Sequence, residues 1–229
     1  MKPGPLATLA ILTLLAACGD SSGSRNNGGG NSSTFTGVIS NDDGSASGAV
    51  EFTLATAAPA PPSVTGPALV AVTATGKLKF NGQAEVALSG TYDGDTDVLA
   101  VTGGGYTLGG FFDGVDRLEG AFSGPNNSSG SFVTTKAANA TSFCGTYQAD
   151  DDSDSGTFSF VISGSNVRGE ARSVDGTVIP LDGTISGNTI TIFVPGTQTT
   201  LATGTRTGNG VSGTYGGSSP GSWIGEVCH

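Results

Sequence analysis

Apolar residues fall at alternate positions through most of the chain, in short runs separated by Gly, Asn, Asp and Ser. In the C-terminal half the runs lie near 142–149, 156–163, 166–174, 177–186, 189–195, 199–207, 210–216 and 221–228. Alternation sends successive side chains to opposite faces of an extended strand, and the short connections leave no room for crossovers, so the pattern predicts an antiparallel meander. Outside the first 18 residues there is no convincing helical pattern. Eight meander strands leave two open edges unless the sheet closes on itself, and an up-and-down barrel removes both.

The N-terminal half repeats this pattern. Phe35-Thr36-Gly37 through Gly48 lies over Phe143-Cys144-Gly145 through Gly156 at a constant spacing of 108, and Val50, Phe52 and Leu54 then fall on Phe158, Phe160 and Ile162. Further on the spacing is 93, with Leu88 to Thr91 over Leu181 to Thr184 and Leu118 to Phe122 over Val211 to Tyr215, so the first copy carries 15 extra residues. They fall in the Pro-rich stretch around Ala57-Ala58-Pro59-Ala60-Pro61-Pro62, a stiff partner-facing loop or a tolerated surface insertion. In-register apolar positions over the whole length mark an internal duplication. The expected fold is all-β, with two tandem eight-stranded barrels at 34–137 and 141–229.

Apolar-x-Gly-x-apolar triplets recur in both copies, among them Phe143-Gly145-Tyr147, Val211-Gly213-Tyr215 and Leu118-Gly120-Phe122. Parity turns each of these glycines inward. Gly within a strand costs about 0.5–1 kcal/mol relative to Ala, so its repetition needs a reason. Packing supplies one: inward Gly lets the strands coil tightly and makes room for rings such as Phe158 and Phe160. A hollowed ligand cavity is the competing reading, disfavoured because eight-stranded barrels are just wide enough to be filled by side chains.

Charge narrows the chemistry. Nine Lys and Arg against 19 Asp and Glu give a net charge of −10, and the basic residues do not cluster, which argues against nucleic acid and against an anionic membrane surface. The single His is the last residue, His229, so no interior imidazole serves as a base, metal ligand or triad member. Glu51, Glu170 and Asp182 take outward positions rather than converging as a glycosidase pair would. Acid clusters at Asp42-Asp43, Asp93 to Asp97 and Asp150 to Asp154 suit solvated turns better than calcium: an EF-hand read from Asp150 has its Gly one place late and Val161 where its last acidic ligand belongs. The expectation is a non-catalytic protein with no catalytic or metal residues and no cofactor.

The first residues supply an address. Lys2, the apolar run Leu6 to Ala17 and the small residues before Cys18 have the layout of a secretory signal peptide at 1–17, and the run is too short to span a bilayer. Leu15-Ala16-Ala17-Cys18 resembles the bacterial lipobox. That resemblance implies cleavage before Cys18, lipidation of its thiol and acylation of the new amino terminus, with palmitate-like chains holding the protein at the membrane. Gly19 after the Cys implies, by the same resemblance, sorting to the outer membrane. Residues 18–33, rich in Gly, Ser and Asn, then read as a flexible tether. With Cys18 lipidated, Cys144 and Cys228 remain as an even pair in an oxidising compartment and are expected to form a disulfide between the first and last strands of the second barrel. The first copy lacks such a pair, having Thr36 and Ala137 at these places, and must close by packing alone or by leaning on the second.

Leu118-Glu119-Gly120-Ala121-Phe122-Ser123-Gly124-Pro125, followed by Gly130-Ser131-Phe132, resembles the strand-turn-strand signature in the C-terminal barrels of bacterial surface lipoproteins of the transferrin-binding protein B type. Asn126 to Ser129 replace the acidic residue and paired glycines of that signature. The resemblance implies a lipid-anchored envelope barrel that binds a protein, and no partner-contacting residue carries over. The expected function is therefore an envelope lipoprotein acting as a binding or adhesive module; an inhibitor of a secreted hydrolase and a structural envelope spacer are the alternatives.

Overall fold

The computed structural model describes residues 32–55, 71–137 and 139–228. The signal peptide, Cys18, nearly all of the tether and most of the Pro-rich insertion lie outside the described residues. The first eight strands are β1 (Ser33–Asn41), β2 (Ser47–Leu54), β3 (Ala71–Phe80), β4 (Val86–Asp93), β5 (Val98–Gly103), β6 (Tyr106–Phe112), β7 (Arg117–Ser123) and β8 (Ser129–Lys136). The second eight are β9 (Thr141–Ala149), β10 (Ser155–Ser163), β11 (Asn166–Ser173), β12 (Val178–Ser186), β13 (Thr189–Phe193), β14 (Thr200–Thr207), β15 (Gly210–Tyr215) and β16 (Gly221–Val227). Every neighbour is antiparallel, and each set closes: β1 pairs with β8, and β9 with β16. The chain is thus two closed meander barrels, and the expected strand positions in the second hold to within two residues.

The pairing register carries the duplication. Phe35 faces Phe52 across β1 and β2, as Phe143 faces Phe160 across β9 and β10; Gly110 faces Gly120 across β6 and β7, as Gly204 faces Gly213 across β14 and β15. In the middle of the repeat the spacing departs from a single value. Leu99 and Val101 answer to Ile190 and Ile192, because β4 and β5 are joined by a longer turn than β12 and β13; both then pair alike, Val101 with Leu108 and Ile192 with Ala202, before an irregularity at Ile192/Phe193 leaves Leu201 as an extra residue.

Both proposed reasons for the inward glycines are present. A Cβ on Gly120 would fall inside the carbonyl oxygen of Gly109, and one on Gly213 inside that of Thr203, because tight coiling brings neighbouring backbones against these positions. At Gly145 and Gly204 a Cβ would meet both a neighbouring carbonyl oxygen and a ring, that of Phe158 or Trp223.

The barrels stand side by side. Val38 on the outer face of β1 packs with Ala49, Cys144 and Cys228, and outward Ser40 and Ser159 share a buried hydrogen bond of 2.8 Å. The Ser142 hydroxyl donates to the Gly37 carbonyl oxygen at 2.7 Å. The first barrel, with no disulfide of its own, leans on the second through this seam.

Candidate functional site

The two copies differ most at one barrel end, where the β1–β2 turn and its equivalent between β9 and β10 lie. In the first barrel Phe80, Tyr106 and Phe122 plug this end, with ring centroids 5.7 to 6.2 Å apart. In the second, Ser173 stands where Phe80 does, each opposite the inward Gly that begins its ladder, Gly156 and Gly48. Ala202 stands where Leu108 does, opposite Tyr215 as Leu108 is opposite Phe122. Thr200 pairs with Phe193 as Thr107 pairs with Thr102 and is exposed, so no ring takes the place of Tyr106, and the bulged Leu201 lines the space instead. Of the three plug positions only that of Phe122 keeps a ring, Tyr215, which meets Tyr147, in the place of Ile39, edge-on at 5.8 Å. Lower in the barrel the exchanges compensate, since Phe158 opposite Ala171 replaces Val50 opposite Leu78.

The result is an apolar cavity of about 110 Å³ opening at this end. Phe158 and Phe160 stack at 5.4 Å, Trp223 stands edge-on to both, and Ile192 and Leu181 complete the inner wall. Packing accounts for the inward glycines of both barrels, and the cavity of the second, which no glycine lines, comes from the small side chains at this end.

Three polar side chains mark the mouth. Asp154 accepts a hydrogen bond from the Ser173 hydroxyl at 2.6 Å and a longer one from the Tyr147 hydroxyl at 3.4 Å. The Tyr215 hydroxyl is buried and has no hydrogen-bond partner in the protein, a state that costs about 1–3 kcal/mol. Burial first, and the negative charge of Asp154 after it, push the Tyr215 phenol above its ordinary value, and Tyr147 is raised chiefly by burial. A phenol raised in the folded state stabilises the fold fully below its unfolded value, near pH 10, and that contribution is lost as pH rises through the folded value. Phenolate absorbance is accordingly expected to lag behind that of the urea-unfolded chain above pH 10, with a falling urea midpoint over the same range; coincident titrations would contradict the buried phenols.

The acid clusters behave as turn residues. Asp43 accepts from the Ser45 backbone N–H at 2.9 Å, Asp93 from that of Asp95 at 2.9 Å, Asp151 from that of Ser153 at 3.1 Å and Asp175 from that of Thr177 at 2.8 Å. Hydrogen bonds to Ser45 hold Asp43 below its usual range, and those to Ser153 do the same for Asp151. Among the described residues no group of three or more His, Cys, Asp or Glu is arranged to hold a metal ion.

Cys144 and Cys228 are bonded, with Cα atoms 5.2 Å apart, joining the first strand of the second barrel to the residue after its last. Glu170 points outward as parity requires, yet it is buried, because the first barrel covers it. Arg172 lies beside it, only 4% exposed, and donates from Nε to Glu170 at 2.8 Å, from Nη2 to Ser131 at 2.7 Å and from Nη1 to Asp42 at 3.1 Å. Ser131 in turn donates to Glu170 at 2.7 Å. Arg168 reaches Asp116 of the first barrel at 2.8 Å. Sequence reasoning missed this seam, although outward Val38, Val133 and Val161 were a signal that part of the wall is covered.

No protein-family model matches the chain, and no curated protein matches it.

Proposed function

We propose that the chain is a lipid-anchored lipoprotein of the bacterial envelope, sorted to the outer membrane, whose paired barrels form a non-catalytic binding module. The observation that supports a binding role is the open cavity: of two copies with one pairing pattern, one end is closed by Phe80, Tyr106 and Phe122, while the same end of the other keeps a cavity lined by Tyr147 and Tyr215. Emptying a barrel end forfeits contacts and gains no stability, so an open end is better explained by an occupant than by folding. The anchor rests on Leu15 to Cys18. Two or more acyl chains give stable attachment, since each buried methylene contributes about 0.8 kcal/mol.

Cys18→Ser is expected to abolish incorporation of a fatty-acid analogue and to release the protein from the membrane fraction. Unchanged labelling would refute the anchor. Capture of envelope and secreted proteins on the Cys18→Ser chain tests the module at the same time: a hydrolase as sole partner would favour the inhibitor reading over this one.

A further inference from the structure

We propose that the second barrel binds a small organic amine, with its apolar body inside the cavity and its ammonium head at the mouth beside Asp154. This rests on reading the chain as a binding module and names the ligand class. The size fits one compact apolar group, since an apolar cavity of about 150 Å³ takes up benzene, and this cavity, at about 110 Å³, is open at the end through which a head group would project. The wall is aromatic, with the faces or edges of Phe158, Phe160, Trp223 and Tyr147 turned to the same space. Such a wall accepts aromatic or aliphatic groups and adds attraction for a cation held near its rings.

The mouth selects the sign of the head group. Asp154 lies on the cavity lining, and Asp150, Asp151 and Asp152 occupy the same turn between β9 and β10, with Asp175 in the next turn at that end. Among its described residues the second barrel has three cationic side chains, and all are engaged away from the mouth. Arg168 and Arg172 pair with Asp116, Glu170 and Asp42 in the seam, and the Arg206 guanidinium lies 5.2 Å from the Phe143 ring centroid. Acidic groups around a low-dielectric opening concentrate cations and repel anions. A neutral hydroxyl could donate a single hydrogen bond to Asp154 and would leave its charge uncompensated, whereas an ammonium balances it. An ammonium supplies charge-assisted N–H donors to that carboxylate.

The test uses the full chain carrying Cys18→Ser, so that no micelle competes for the probe, and the fluorescence of Trp223, the single tryptophan, which lines the cavity. Titrants are 2-phenylethylamine, its neutral counterpart 2-phenylethanol and the anion 3-phenylpropionate. Saturable binding of the amine is expected, about tenfold or more tighter than the alcohol, as a charge-assisted hydrogen bond allows, with no saturation by the carboxylate. Asp154→Asn should bring the amine to the level of the alcohol, and Ala202→Leu, which restores the residue of the plugged barrel, should abolish the response to both. Alcohol or carboxylate binding as tightly as the amine, with Ala202→Leu still abolishing it, would overturn the amine and leave the binding module standing. A Trp223 signal unmoved by all three probes would overturn both.

Discussion

Arg172→Ala is expected to lower the stability of the two-barrel body by about 3–5 kcal/mol, the cost of stripping one partner from a buried ion pair. The magnitude follows from burial. Arg172 is 4% and Glu170 10% exposed at the side chain, so removing the guanidinium leaves a largely buried carboxylate with Ser131 as its remaining donor. It also removes the hydrogen bonds to Ser131 and Asp42 that tie β11 to the first barrel. Urea unfolding measures the effect. Replacing both members, with Arg172→Met and Glu170→Met, should recover much of the loss, because the expense lies in the orphaned charge rather than in the missing attraction. A loss below about 1 kcal/mol for Arg172→Ala would place the pair with exposed salt bridges and refute a buried seam.

Removing the disulfide is expected to cost about as much. The bridge spans 84 residues, for which the chain-entropy model assigns about 4–5 kcal/mol, an upper figure since measured values are often smaller. Cys144→Ala with Cys228→Ala should therefore lower the urea midpoint strongly without reductant. Because the bridge faces outward and packs against Val38 and Ala49, the loss reaches the first barrel through the seam as well as the second. Equal midpoints for the parent and the double variant would contradict the stabilising role.

Much of this fold was legible because alternation and turn residues are local. The eight runs of the second copy, the Phe143-Gly145-Tyr147 and Val211-Gly213-Tyr215 triplets and the even cysteine pair each state a strand, a facing or a closure within a few residues. The cavity was not legible in the same way. It depends on Ser173 and Ala202 lacking bulk together, and these come from β11 and β14, so no window of sequence holds the deficit. Aligning the copies by ladder position instead of by constant spacing would have exposed it, since a spacing of 93 sets Leu108 against Leu201, whereas the ladder sets it against Ala202, opposite Ile192 as Leu108 is opposite Val101. Glu170 illustrates a different gap: parity gives the direction of a side chain and says nothing of what stands opposite it. Its burial is set by the first barrel, from residues such as Ser131 some forty positions away.

The unplugged end is what separates the second copy from the first, and the stability of Ala202→Leu reads it most directly. An added isobutyl group that enters empty apolar space gains contacts, and cavity-filling changes commonly stabilise by about 0.5–2 kcal/mol. The structure predicts a higher urea midpoint for Ala202→Leu. The reciprocal change Leu108→Ala, in the plugged barrel, should cost about 2–5 kcal/mol. If Ala202→Leu instead destabilises by about 1–3 kcal/mol, as overpacking does, the second barrel is already full at that end, and the cavity on which the binding role rests is contradicted.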